Sequence, residues 1–312
     1  MFHVRLAVAA LTAGLGLAAP AAAYTVNPGG AAYDALKLDG YGTFGVNFLV
    51  SAESQPLTAE IGAALTQAAA TLESTITGYI SEAFGLYYDT FSPFGGTAAG
   101  YDFVVELTDI DNAGNTLAQA SYFGGVTDGV YTMPVASLLE IDSADLDLMN
   151  GLDILADVLL HEMFHGLGFS GAVWGANGLL DVSGQYVGAD LNKAFDRALG
   201  AYGLAAYELE YGLGSSFIPV EDAGGAGTAG SHWDTEFFGD LSGSSTFATA
   251  LMTGSIGGAA FLSQTSIFSL QDVGYALGER LAYTPVPVPA AGGLLASALL
   301  GLGLMRRRRR SA

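Results

Sequence analysis

The sequence predicts an α+β domain built on a small mixed sheet, and three observations carry that prediction. Extended, β-rich segments cluster in the first half of the chain. A long segment of helical periodicity separates the first of them from the rest, and a second, almost wholly apolar helix carries a knot of polar residues. Past that helix the chain turns Gly-rich and irregular up to about Met252, before one last helix.

Taken in order, residues 24–41 form a Gly-, Ala- and Tyr-rich lead-in. "TFGVNFLVS" (Thr43–Ser51) has the composition of a strand. Leu57, Ile61, Leu65, Ala68, Ala69, Leu72 and Ile76 then recur at helical spacing, with Thr58 as the cap. "YDFVVELTDID" is a second strand, ended by the turn formers Asn112 to Asn115. "AQASYFGG" and "GVYTMPVASL" are further strands, and Pro134, lacking an N–H, confines the latter to a sheet edge. Leu152, Leu155, Ala156, Leu159, Leu160, Met163, Phe164 and Leu167 make a helix apolar nearly all round, hence buried. "SIFSLQDVGYALGERL" is the last helix, and there are no internal repeats.

Both ends look like processing segments around a domain at 24–284. Residues 1–23 have a positive flank at Arg5, an apolar stretch, and small residues at Ala21–Ala23, the pattern of a secretory signal peptide. Residues 285–312 run from alternating prolines through an apolar stretch (Ala290–Met305) to five arginines. That order is similar to the VPxPA/PEP-type C-terminal sorting tails of Gram-negative bacteria. The similarity implies transient inner-membrane association, a sorting protease as partner, and delivery to the cell surface or medium. Without Arg5 and Arg306 to Arg310, four basic residues face 31 acidic ones, a net charge of −27. Such a surface repels nucleic acid and anionic membranes. There is no cysteine, so packing and bound ions must replace disulfides.

The chemistry gathers in "LLHEMFHGLGFSG" (Leu159–Gly171). On a helix, His161 and His165 lie one turn apart on one face and can share an ion, with Glu162 rotated toward a water. Burying two imidazoles and a carboxylate is costly unless they are satisfied, by a metal or by hydrogen bonds in the core. A catalytic zinc requires three protein ligands and an open position. The third could be His232, the remaining histidine of the 24–284 domain, a later glutamate, Asp181 or Asp234. In the contiguous form HExxHxxGxxH the turn glycine is present as Gly168, but the third histidine position is Gly171.

His232-Trp233 and, twenty residues on, Leu251-Met252-Thr253-Gly254 complete a recognisable set. With "LEIDSADLDLMNGLDILADVLLHEMFHGLGF", "YVGADLNKAF", "PVEDAGGAGTAGSHWD" and "SIFSLQDVGYAL", the chain resembles the leishmanolysin family of metzincins over roughly Thr43 to Leu277. The resemblance implies a metzincin-like zincin fold with one catalytic Zn2+ held by His161, His165 and His232. It also implies Glu162 as general base, Met252 as the methionine turn beneath the metal, and a protein or peptide substrate laid along an edge strand. Val130–Ala136 is the expected edge. The family's disulfides and cysteine-based latency have no counterpart here. "DIDNAGN" (Asp109–Asn115) opens like a Ca2+ loop, but Ala113 at its fifth position and no glutamate at its twelfth make it a turn, leaving Ca2+ as a secondary expectation. Two other functions fit the motif: a non-catalytic zinc-binding surface or extracellular-matrix protein, and a metallohydrolase acting on something other than peptides.

Overall fold

The computed structural model describes residues 9–10, 25–26, 30–94, 100–188, 202–225, 227–234, 250–256 and 260–278. Most of the expected signal peptide, the whole sorting tail and most of "YVGADLNKAF" lie outside these residues. Among the described residues no helix is long and apolar enough to cross a membrane.

In chain order the elements begin with β1 (Ala9–Ala10), β2 (Thr25–Val26), α1 (Ala31–Asp34), β3 (Val46–Val50) and α2 (Ala59–Thr75). Then come β4 (Gly78–Tyr79), α3 (Glu82–Thr90), β5 (Tyr101–Thr108), β6 (Ala118–Tyr122), β7 (Gly125–Thr127), β8 (Thr132–Pro134) and β9 (Ser137–Asp142). The rest are α4 (Leu146–Gly151), α5 (Leu155–Gly166), α6 (Gly171–Ala176), α7 (Tyr202–Tyr211), β10 (Phe261–Leu262), α8 (Gln264–Val273) and β11 (Tyr275–Ala276). The main sheet has the order β1-β3-β5-β9-β6. β3, β5 and β9 are parallel, while β6 runs antiparallel to β9, with Ala120 opposite Leu139. A mixed sheet of this size is the expected α+β layout.

The local reasons are those visible in the sequence. Thr58 caps α2 by accepting the Ile61 N–H, and Ile61, Leu65, Ala68 and Leu72 turn one face of α2 inward. α2 packs against α5, and α5 lies across β6 and β9. The central strand β5 is buried along nearly its whole length, as a parallel strand covered on both faces should be. Gly166, at the end of α5, sits against β5 and β9: an added Cβ would lie 2.7 Å from the Phe103 ring. Its carbonyl accepts from Tyr101 and Ser137 at 2.7 and 2.8 Å.

Four expectations need correction. The apolar periodicity does not run unbroken from Leu152, because Asp153 takes φ 57° and separates α4 from α5, leaving Leu152 54% exposed. "GVYTMPVASL" is not one edge strand. Its first part, β8, forms a hairpin with β7, and the chain then enters the sheet interior as β9. Among the described residues the sheet edge beside α5 is therefore β6 rather than Val130–Ala136. Finally, the stretch between Gly171 and Met252 includes α6 and α7. α7 escapes a periodicity reading because aromatic and charged residues alternate round it. A partner fixes it: the buried Asp272 carboxylate accepts the Tyr202 and Gly203 N–H groups at its N-terminus, both at 2.8 Å.

Leu72 is fully buried in α2. Leu72→Ala should lower the unfolding free energy by about 2–5 kcal/mol, and Thr58→Ala by about 1 kcal/mol, both measured by urea denaturation.

Candidate metal centre

α5 projects His161 and His165 from the same face, and His232 arrives from a loop 67 residues after His165. Their three Nε2 atoms meet at 3.1 Å (161–232), 3.0 Å (161–165) and 2.9 Å (165–232). Each opposite nitrogen faces a backbone carbonyl. The Nδ1 of His161 bonds Leu251 O at 2.6 Å, that of His165 bonds Phe169 O at 2.6 Å, and that of His232 bonds Thr228 O at 2.9 Å. A carbonyl only accepts, so each Nδ1 carries the proton and, in a neutral ring, each Nε2 presents a bare lone pair.

Burial keeps the rings neutral. Desolvation, reinforced by His232, pulls His161 down to about 3. His165 lies well below the usual histidine range through burial and then its two neighbours, and burial lowers His232 as well. Three lone pairs converging at about 3 Å, with no proton between them, repel one another unless a cation sits among them. The donor set fits a zinc-type ion: neutral imidazoles with their second nitrogens anchored on carbonyls. Among the described residues these three side chains are the group that could hold a metal ion.

The chain between the ligands explains the missing contiguous histidine. α5 ends in a turn in which Gly168 adopts φ +105° and donates to His165 O at 3.0 Å, and Phe169 donates to Phe164 O. That turn delivers the Phe169 carbonyl to His165. Three residues later the chain passes against the loop before His232 so closely that a Cβ on Gly171 would stand 2.2 Å from Gly230 O. A side chain at 171 would push away the loop that carries His232.

His232 itself is fixed by neighbours on both sides. Its carbonyl accepts from Glu221 N–H at 2.9 Å, and Trp233 N–H donates to Met252 O at 2.9 Å. Met252 is fully buried in a tight turn closed by Thr253 on Ala250 O, and the preceding carbonyl, Leu251 O, is the one that orients His161. Beneath the loop, Trp233 stacks on Trp174 at 5.1 Å and meets Phe169 edge-on at 4.8 Å. Asp181 is bound up with Ser183 and Gln185, and the Asp234 N–H goes to Pro219 O; neither residue belongs to the metal-capable group.

Glu162 is 8% exposed, with one carboxylate oxygen 4.0 Å from His161 Nε2. Burial pushes its carboxyl up to about 8, opposed by a hydrogen bond from the Ala120 backbone of β6. The trio and Glu162 open into a cleft of 830 Å³. Its walls include β6, the apolar side chains Leu148, Leu152, Ile154 and Val158, and the segment Thr253–Ile256. Sequence reasoning missed β6 and α4 as walls, because neither carries a motif. The Asp109–Asn115 segment is a turn, with Asp109 accepting Asn112 N–H and Asp111 accepting Thr116 Oγ1.

No family model and no solved structure matches this chain. It is similar to a leishmanolysin homolog from Crithidia fasciculata, 28% identical over 179 residues, which are 56% of this chain and 24% of that protein. It is also similar to leishmanolysin from Leishmania donovani, 29% identical over 134 residues, 42% of this chain and 21% of that protein. The chain thus spans about a quarter or less of the length of these curated relatives.

Gly171→Ala should weaken zinc binding at least about tenfold by displacing the His232 loop, read by chelator competition. Gly175→Ala, on the same helix but with nothing within 4 Å of the new Cβ, should leave it unchanged.

Proposed function

We propose that this chain is an exported zinc-dependent endopeptidase of leishmanolysin-like, metzincin type. The observation that carries the reading is the convergence of three outward lone pairs beside an intact glutamate at the floor of an open cleft. His161, His165 and His232 hold the ion, and Met252 forms the turn beneath it. Bound zinc supplies Lewis acidity, lowering the pKa of a water toward about 7 and polarising a carbonyl. Glu162 accepts a proton from the attacking water and delivers it to the leaving amine as the C–N bond breaks.

The substrate is an extended peptide. β6 has a free edge next to Glu162, and backbone pairing along Ala118–Tyr122 would align a peptide across the site largely irrespective of sequence. Leu148 and Leu152 expose apolar surface to the same cleft and favour an apolar side chain there. The amino-terminal segment directs export, and the tail at 285–312 engages a sorting protease during delivery to the surface of a Gram-negative cell. The rival reading, a zinc-binding matrix protein, has no use for a buried carboxylate next to the ion.

Zinc content and cleavage of a peptide library test the reading together. The wild-type chain should bind one zinc and cleave. Glu162→Ala should retain the metal and lose about 10²–10⁴-fold in kcat/KM, whereas His232→Ala should lose the metal. A zinc-loaded wild type that cleaves no peptide would favour the matrix reading, and unchanged affinity in His232→Ala would remove His232 from the ligand set.

A further inference from the structure

The residues ahead of the main sheet lie along the last helix. β2 pairs in parallel with β10, Thr25 opposite Phe261 and Val26 opposite Leu262. Farther on, the Tyr33 ring stacks on Phe268 at 6.2 Å. The fully buried Gln271 then grips the chain twice: its Oε1 accepts Leu38 N–H at 2.9 Å and its Nε2 donates to Leu36 O at 2.8 Å. Gly278 N–H closes the contact on Leu38 O at 2.9 Å. Contacts advance together along both segments, so this amino-terminal strap runs parallel to 261–278 alongside α8, whose ten residues are all buried, chiefly against α7.

The strap is connected to the metal centre through two residues. Phe261 lies between β2 and the methionine turn: it pairs with Thr25 on one side and bridges Ala250 on the other, and its carbonyl accepts Leu251 N–H at 2.8 Å. The same Leu251 uses its carbonyl to hold His161 Nδ1 at 2.6 Å. β10 is only two residues long, and on its far side it meets an isolated bridge rather than a ladder. The strap therefore backs one of the contacts that hold the Leu251 peptide, beside the Thr253 turn and the Trp233–Met252 bond.

We infer that the amino-terminal strap is a positioning element of the metal centre, setting the rotation of His161 through the path β2, Phe261, Leu251. It rests on the zinc reading above. With the strap unseated, Phe261 loses its outer partner, the Leu251 carbonyl loses one of the restraints on its direction, and His161 is less firmly preoriented. The metal is then retained by His165 and His232 with a poorly held third imidazole. Ligand orientation by groups behind the first contacts typically changes affinity by about 10–100-fold.

The test uses the full chain carrying Thr25→Pro and Val26→Pro together, which removes both β2 backbone donors. Zinc release to an excess of chelator should accelerate at least tenfold, and the visible bands of the cobalt(II)-substituted protein should change, while near-ultraviolet circular dichroism stays native. Phe84→Ala, destabilised in α3, which packs on β4, should leave release and bands as in wild type, separating positioning from general loss of stability. Release within twofold of wild type and unchanged cobalt bands in a folded double variant would overturn the inference. If the double variant does not fold, Tyr33→Ala decides by the same readouts, with faster release supporting and unchanged release refuting. A wild type that binds no zinc would instead refute the metal reading itself.

Discussion

Three buried, neutral imidazoles aim their lone pairs at one point, and the rest of the architecture follows from the cost of holding them there. Left alone, each ring would turn its acceptor nitrogen to water or a donor. What prevents it is a carbonyl behind each ring: Leu251, Phe169 and Thr228. Fixing a tautomer and a ring rotation at once requires that carbonyl to have one direction. All three belong to tight local chain turns. Phe169 follows the Gly168 turn, Leu251 lies in the turn closed by Thr253, and Thr228 heads the short loop between Gly225 and Ser231.

Holding three turns rigid without a single cysteine is a packing problem. The solution is an aromatic cluster directly beneath them. Trp233, one residue past His232, stacks on Trp174 of α6, while Phe169, which supplies one of the carbonyls, lies edge-on to both. Tyr186 completes the cluster and donates to the buried Asp272, which also binds the start of α7. Side-chain-to-backbone clamps of this kind recur over long sequence distances: Gln271 on Leu36 and Leu38, Glu210 on Thr265, Asn177 on Thr132. With ten basic residues in the whole chain, ion pairs could not do this work, and buried hydrogen bonds take their place.

How much of this the sequence discloses depends on how local the determining interactions are. His161, Glu162 and His165 are legible because helix geometry alone relates them, and α2 because its cap and apolar stripe lie within its own span. His232 is legible only through resemblance. Its approach depends on isolated bridges linking Val220, Trp233 and Thr253 and on the missing side chain at Gly171, neither of which leaves a periodic trace. β9 was hidden for a related reason. As an interior strand it reads as a continuation of the segment containing Pro134, and only the β7–β8 hairpin separates the two. α7 depends on a carboxylate sixty or more positions away. The lead-in offers no local pattern because its partners lie more than 230 residues downstream.

Glu162 is the residue hardest to explain as architecture. Apart from His161 and His165 its neighbours in the helix are apolar, it is almost wholly buried, and that burial pushes its carboxyl up to about 8. One backbone hydrogen bond, from Ala120, is a thin return for desolvating a carboxylate. The neutral His161 at 4.0 Å adds no ion pair. A site meant only to hold an ion would be more stable with a methionine or leucine here, filling the same volume at no electrostatic cost. The carboxylate makes physical sense once a water and a scissile amide share the cleft. On the proposed peptidase reading, it is the group placed to take a proton from one and give it to the other.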